Sequence, residues 1–344
     1  MPAPLLIADV PWLLYRAFFS LPKSIVGSDG EPVNALLGTV NALLAVLEAR
    51  PARAVAACMG AEEAIYRVRL YPGYHAQRDP MPPELARQWE KAPALLESLG
   101  WTVTTDPELE ADDVMFSYAL AEVGGDRHEE ENTSGHESGK DGGKRGVMTN
   151  RHGNGRALLL TGDRDLFQAV TDQVAVVMPG KGGGDPTEIG PAQVRERYGI
   201  DPPLVTDFIA LRGDPSDGLP GAPGIGAKTA AELLNAHDTL EALLEAAGAA
   251  ADDRRTNAGE SAPVAAASEL ADASTSAPAL TIRPRVAATL RDNEQLLRTF
   301  ARVATLQRID VDAPPDRSTD YAGGAQAASD LGMTRLAARL RGMA

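Results

Sequence analysis

Eight acids stand at the ends of short apolar runs or in the turns just after them: Asp9, Glu110, Asp112, Asp113, Asp163, Asp165, Asp214 and Asp217. The most telling stretch is Arg156 to Leu166, where Ala157-Leu158-Leu159-Leu160 ends in Thr161-Gly162-Asp163-Arg164-Asp165. An apolar run without alternation reads as a strand buried on both faces, the pattern of a parallel sheet. Asp163 and Asp165 then lie just past its carboxyl end, the edge at which open α/β sheets bind ligands. A single Asp would serve as a helix cap; two flanking Arg164 ask for more. Leu5–Ala8 predicts a second buried strand, ending in Asp9. Glu110-Ala111-Asp112-Asp113 opens a predicted helix over Val114–Val123, where the helix dipole alone favours acids. Unit charges about 4 Å apart repel by about 4 kcal/mol at an effective dielectric near 20. Acids this dense therefore need cations, or some of them hold protons.

The elements that must position these acids alternate. Strands are predicted over Leu5–Ala8, Arg53–Met59, Trp101–Thr105, the run at Ala157, and Gln173–Met178. Helices are predicted over Trp12–Leu21, Val33–Leu47, Glu84–Lys91 (with Pro93 breaking or restarting it), Leu166–Val170, Pro191–Tyr198 and Pro203–Leu211. This alternation predicts an α/β fold with a mostly parallel sheet, in which strand Arg53–Met59 runs beside Leu5–Ala8. Tyr71 to Trp101 is different, an irregular aromatic and basic stretch with Tyr74, His75, Arg78 and four prolines ahead of its helix. Val286–Thr305 reads as one amphipathic helix, and Asp330–Arg341 as a short one.

Gly213 to Thr229 carries Asp214 and Asp217 and then a Gly/Pro hairpin that opens a helix running through Leu234. Gly224 and Gly226 permit close backbone approach. The helix start at Ala227 offers free N–H groups to a phosphate, with Lys228 adding charge. Gly124–Gly155 and Ala246–Pro278 are low-complexity insertions with too few apolar residues to build a core. His128, His136 and His152, in the first, match no metal-ligand spacing.

The chain has 344 residues and a net charge of −15. That balance argues against nucleic acid, unless many acids sit at one metal site where bound cations reverse the local field. Cys58 is the only cysteine, which rules out a disulfide framework and suits a reducing cytoplasm. The apolar start is interrupted by Asp9, Pro11 and Arg16, so neither a signal peptide nor a membrane span is expected.

Taken in order, four stretches resemble the structure-specific 5′-nuclease family, which includes the 5′-to-3′ exonuclease domain of bacterial DNA polymerase I and the flap endonucleases. They are Asp9 with Leu14-Tyr15-Arg16-Ala17-Phe18, Glu110 to Val114, Thr161 to Leu166, and Gly213 through Thr229. The resemblance implies a PIN-like α/β fold with a C-terminal helix-hairpin-helix region. It implies an N-terminal domain over 1–180, a C-terminal domain over 181–310 and a tail over 311–344 with a short helix. It implies two Mg²⁺ or Mn²⁺ ions, a hard-cation choice that carboxylate oxygens suit. Asp9, Glu110 and Asp112 would hold the first ion. Asp163, Asp165 and Asp214 would hold the second, with Asp113 and Asp217 in support. By resemblance, Tyr74, Arg78 and Arg16 steer the scissile phosphate, and Tyr71–Trp101 is the arch that a 5′ single strand threads. Gly221, Gly224, Gly226, Lys228 and Thr229 grip duplex phosphates, commonly with K⁺. The implied activity is 5′-to-3′ exonuclease or 5′-flap cleavage on double-stranded DNA in replication and repair, beside a separate DNA polymerase. A catalytically impaired relative that binds nicked or flapped DNA is the alternative. Three positions depart from the family pattern. Met59 or Gly60 stands where an Asp is usual, with Glu62 and Glu63 nearby; His75 replaces a Lys; and Val10 replaces a Gly after Asp9.

Overall fold

The computed structural model describes residues 3–124, 155–180, 184–257 and 282–344. Residues 125–154, which hold most of the first low-complexity stretch with His128, His136 and His152, and residues 258–281, which hold most of the second, lie outside them. Six strands form one sheet: β1 (Leu5–Asp9), β2 (Ala54–Met59), β3 (Thr102–Thr105), β4 (Ala157–Leu160), β5 (Val174–Met178) and β6 (Thr187–Ile189), in the order β3-β2-β1-β4-β5-β6. The first five are parallel, and only the short β6 runs antiparallel, against β5. β1 is central. It pairs with β2, Asp9 beside Cys58, and with β4, Ala8 beside Leu160. The chain builds to one side of β1 and then returns to build on the other, so β1 and β4 flank a topological switch point, where such sheets leave a crevice.

Period-two alternation divides the strand side chains between two cores. Leu5, Ile7, Ala56, Cys58 and Leu159 face α5 (Ala111–Val123), α7 (Val205–Arg212), α8 (Ala227–His237) and α11 (Glu294–Ala304). Leu6, Ala8, Val55, Ala57, Met59 and Leu160 face α1 (Val10–Ser20), α2 (Asn34–Ala49) and α4 (Pro83–Ser98). With both faces covered, the strands can be apolar throughout, which is why they lack alternation in the sequence. The remaining helices are α3 (Ile65–Leu70), α6 (Pro191–Tyr198), α9 (Leu240–Asn257), α10 (Pro284–Asp292), α12 (Tyr321–Asp330) and α13 (Thr334–Arg341).

The structure corrects several boundaries. Leu166–Val170 is not an α-helix but a single 3₁₀ turn, Asp165–Ala169, because β5 begins too soon for more. Pro93 lies inside α4 without ending it; Leu85, Gln88, Ala92, Leu95 and Leu96 bury one stripe on both sides of the proline. The long helix expected over Val286–Thr305 is two. Asn293 breaks it, its side chain donating to the Thr289 carbonyl at 2.8 Å, the local competition that ends helices at Asn. Helix α9 runs on to Asn257, into the stretch expected as the second insertion. The tail over 311–344, expected to hold one short helix over 330–341, holds two helices. These are α12 and α13, divided at Leu331-Gly332, and Ala328, Met333, Leu336 and Leu340 complete the core against α4 and the sheet.

Candidate active site

Asp9 closes β1 and caps α1, its Oδ1 accepting the Trp12 N–H at 3.0 Å. Across the switch point Thr161, the first residue after β4, donates its hydroxyl to Asp9 Oδ2 at 2.7 Å and accepts the Asp163 N–H at 3.0 Å. Asp163 Oδ1 in turn accepts the Asp165 N–H at 3.0 Å. This chain of short bonds fixes the acidic turn against β1. Gly162 is required there: a Cβ would lie 2.0 Å from the Trp12 ring.

From the other side come the acids of α5, whose N-terminus points at the crevice. Glu110, its N-cap, accepts the Tyr74 hydroxyl at 2.9 Å and the Ala64 N–H at 2.6 Å. Arg67 of α3 reaches in between, only 2 % exposed. Its Nη1 lies 2.7 Å from Glu110 Oε2, and its Nη2 lies 3.1 Å from both Asp112 Oδ2 and Asp113 Oδ1. Its Nε donates to the Val303 carbonyl of α11 at 3.1 Å. A third element brings Asp217, whose Oδ1 meets His75 Nε2 at 3.2 Å and Arg78 Nη2 at 3.7 Å. Its carbonyl accepts the His75 N–H at 3.2 Å. His75 is stacked on Tyr74 at 3.8 Å and held at φ +52°, a conformation that L-residues seldom adopt.

Five of the eight acids, Glu110, Asp112, Asp163, Asp165 and Asp217, line one cleft of about 20 Å³ with Tyr74 and Arg78. That is room for one water-sized particle. Asp9 borders the adjoining groove with Glu110, Asp112 and Asp163. The other expected residues stand apart. Asp113 is fully buried behind the cleft, taken up by Arg67, the Tyr66 hydroxyl (3.1 Å) and the Gln307 N–H (2.6 Å). Asp214 is folded back on the Ser216 N–H (2.9 Å) and Arg212 (3.2 Å). Arg16 donates to the Gly180 carbonyl at 2.8 Å and lies over the Trp12 ring. In the hairpin, Gly224 and Gly226 face open space and Lys228 is 90 % exposed at the start of α8 with Thr229. Gly221 instead packs inward, with a Cβ position 2.3 Å from the Gly213 nitrogen.

Crowding shows in the proton affinities. Burial, reinforced by neighbouring carboxylates, lifts Asp9 to about 6 and Asp163 to about 7, and carries Asp165 and Glu110 upward as well. Asp113 rises to about 7 by burial and by Asp112, even against Arg67. For Asp217, burial pulls upward, but the His75 hydrogen bond and the charges of His75 and Arg78 prevail and hold it low. The acids of the cleft thus favour bound protons more than free carboxylates do, and cations would relieve the same crowding. Among the described residues no three of these groups already converge on one point as a cage. They line a cleft wall, which fits a hard ion such as Mg²⁺ that binds through one or two carboxylates and keeps several waters.

Sequence reasoning missed Arg67, because a lone arginine in Tyr66-Arg67-Val68 carries no signal of burial among acids. Neither Met59 nor Gly60 supplies the missing strand-end acid. Met59 points into the second core, on the opposite sheet face from Asp9, and a side chain at Gly60 would strike the backbone of Leu109 to Ala111 at 2.6 Å. Glu62 is held on the groove wall by the Tyr15 hydroxyl at 2.6 Å.

Two family descriptions match this chain in order: the 5′-3′ exonuclease N-terminal resolvase-like domain over residues 4–129, and the 5′-3′ exonuclease C-terminal SAM fold over residues 200–320. The chain belongs to the 5′-3′ exonuclease family. This family member is 33 % identical over 276 residues to a 5′-3′ exonuclease of Mycobacterium tuberculosis, covering 74 % of this chain and 76 % of that one. It is 34 % identical over 243 residues to a 5′-3′ exonuclease of Streptomyces coelicolor, covering 67 % and 70 %. It also matches the thermostable DNA polymerase I of Thermus thermophilus at 37 % identity over 240 residues, 70 % of this chain but only 25 % of that much longer one. Among solved structures, the T5 D15 protein co-crystallised with metal ions shares the fold, with a TM-score of 0.56 at 15 % identity and 99 % coverage of both chains. The catalytic core of Rad2 in complex with DNA substrate does too, with a TM-score of 0.57 at 11 % identity, covering 98 % of this chain and 93 % of that one. As a member of this family the chain is a hydrolytic nuclease. Among the described residues no helix is long and apolar enough to cross a membrane.

Proposed function

We propose that this 5′-3′ exonuclease hydrolyses phosphodiester bonds from the 5′ end of double-stranded DNA and cuts 5′ flaps, using Mg²⁺ or Mn²⁺. The observation that carries this reading is the cleft at the β1/β4 switch point, where five acids meet and Asp163 and Asp165 hold their protons abnormally tightly. In this reading Asp9, Glu110 and Asp112 hold a first ion, and Asp163 and Asp165 a second, with Asp217 in support. Asp214 joins only on leaving Ser216 and Arg212. Bound there, the ions supply an activated water and neutralise charge on the leaving oxygen. Arg78 and Tyr74, on the cleft wall, position the scissile phosphate. Arg67 holds Glu110 and Asp112 in place. Gly224, Gly226, Lys228 and Thr229 present backbone N–H groups and charge to duplex phosphates, with K⁺ at the hairpin. Residues 1–180 form the nuclease half and 181–310 the duplex-binding half. The match to one quarter of a DNA polymerase I supports a place beside a separate polymerase in replication and repair.

The alternative, an impaired binder of nicked or flapped DNA, draws on Met59 and His75. The deciding experiment compares duplexes labelled at the 5′ end and at the 3′ end, with Mg²⁺ and with EDTA. Rapid release of small 5′-labelled products in Mg²⁺ alone supports the nuclease. Binding without cleavage supports the alternative, and attack from the 3′ end contradicts both.

A further inference from the structure

Of the three acids expected at the second ion, Asp163 and Asp165 line the cleft and Asp214 does not. The backbone of Asp214 is pinned: its N–H donates to the Leu219 carbonyl and its carbonyl accepts the Leu219 N–H, each at 2.8 Å. Only the side chain is free to turn. One carboxylate oxygen is taken by the Ser216 N–H at 2.9 Å and by the Ser216 hydroxyl, the other by Arg212 Nη2 at 3.2 Å. Yet this carboxylate stands close to the site. Burial lifts the proton affinity of Asp165, and the charges of Asp163, Asp217 and Asp214 add to the rise.

Arg212 belongs to a cluster of cations built on aromatic rings. Tyr198 lies 5.8 Å from Phe167 on one side and 5.2 Å from Phe208 on the other. Arg197 covers the Phe167 ring at 5.8 Å, and Arg212 covers the Phe208 ring at 5.4 Å. Burial raises the proton affinity of the Tyr198 hydroxyl, and Arg164, Arg212 and Arg197 all act against that rise, so the three guanidiniums lie near it. Arg164, exposed between Asp163 and Asp165 in the chain, brings the cluster to the rim of the cleft. Among the described residues, only Arg212 of the three is ion-paired. A guanidinium grips phosphate with the same planar fork that grips carboxylate. A DNA phosphate arriving at this cluster therefore competes with Asp214 for Arg212.

We propose that Arg212 is a latch on the second ion site: it holds Asp214 out of the cleft until a backbone phosphate of bound DNA takes its guanidinium, and Asp214 then turns in to complete the site. This rests on the two-ion reading and deepens it. Ion affinity and DNA affinity become linked, and by reciprocity each raises the other. Arg212 acts through Asp214 and is a positioning residue.

The test is a double-mutant cycle between Arg212 and Asp214, read by Mn²⁺ binding to the intact protein without DNA, with free Mn²⁺ followed by electron paramagnetic resonance. In the parent, Asp214→Asn should leave Mn²⁺ affinity nearly unchanged, because the carboxylate is latched away. Arg212→Met should tighten the weaker ion about tenfold, within the usual range of coupling between sites, and adding Asp214→Asn should abolish that gain. Ser216→Ala removes one clasp at constant charge and should shift affinity the same way. A gain in Arg212→Met that survives Asp214→Asn reflects only the lost positive charge and overturns the latch. So does an Asp214→Asn change that weakens Mn²⁺ as much in the parent as in Arg212→Met. The reciprocal arm is duplex affinity in EDTA, which Asp214→Asn should tighten in the parent but not in Arg212→Met. Equal tightening in both overturns the exchange with phosphate, and the proposal with it. Asp163→Asn separates the latch from the reading beneath it. If that variant binds Mn²⁺ like the parent, the second ion site itself fails. If it binds Mn²⁺ more weakly and the Arg212–Asp214 cycle is additive, only the latch fails.

Discussion

Arg67 and Asp163 show how single residues set the balance of this site. Arg67 is the buried counter-charge of Glu110, Asp112 and Asp113. Removing one partner of a buried ion pair leaves charge uncompensated at a cost of about 3–5 kcal/mol. Arg67→Met should therefore lower stability by about that much in urea unfolding, and Mg²⁺ should recover part of the loss by taking over the acids. A change below about 1 kcal/mol would show that Arg67 does not hold the cluster. Asp163 works in the opposite direction. Its carboxyl is raised to about 7 from a usual value of 3.8. Between these values the folded chain binds more protons than the unfolded one, so stability is full at low pH and is lost as pH rises through about 7. In EDTA the melting temperature should fall from pH 5 to pH 7.5, and Asp163→Asn should flatten that fall and melt higher than the parent at pH 7.5. Mg²⁺ should restore the parent at pH 7.5. A flat parent profile in EDTA would contradict the proton affinities assigned to the cleft.

At the scale of elements, the sheet was readable because its strands are apolar on both faces, and the acids were readable because they sit where those strands end. Strands β1, β2 and β4, the place of β2 beside β1, and the gathering of Glu110, Asp112, Asp163, Asp165 and Asp217 at that edge all follow from that. What could not be read depends on partners distant in sequence. The length of Val286–Thr305 looks continuous, yet Asn293 ends one helix and begins another so that Leu290 and Phe300 can both reach the core. The three residues of β6 carry too little pattern to announce a strand. Asp113 and Asp112 look equivalent as neighbours, but helical geometry turns Asp113 toward Tyr66 and the Gln307 backbone and Asp112 toward the cleft. The hairpin before α8 is the element whose role is tested by salt. Lys228 is exposed, and among the described residues its only ion pair is a long one, 3.9 Å to Glu232, so its charge is available to phosphate. Lys228→Ala should weaken binding to all duplex sequences about equally and reduce the salt slope by about 1. A sequence-dependent loss would place Lys228 at the bases instead.

The whole molecule is held together by its two ends. The segment after α11 runs back across α5, with the Gln307 and Ile309 N–H groups donating to Asp113 and Ser117, and then supplies α12 and α13 to the core beneath α4. Met333, Leu336 and Leu340 are buried there. At about 1.5–3 kcal/mol for each large apolar side chain, their loss approaches the whole stability of an ordinary domain. Truncation before Tyr321 should yield insoluble or strongly destabilised protein, and an unchanged urea midpoint would show that these helices are dispensable. The acids are thus carried on a frame that closes only when both halves of the chain are present, with α5 joined to the second half through Arg67 and Val303. That frame exists, in this account, to hold divalent ions against the DNA backbone. The most direct measurement is the single-turnover cleavage rate of a 5′-labelled duplex as Mg²⁺ is titrated, for the parent and for Asp163→Asn, with duplex affinity measured in parallel. A saturable rise of rate with Mg²⁺ is expected in the parent, and at least about a hundredfold lower rate in Asp163→Asn, the order lost with one group that stabilises developing charge, with duplex affinity kept. Cleavage that ignores Mg²⁺, or an Asp163→Asn protein that cuts at the parent rate, would contradict it.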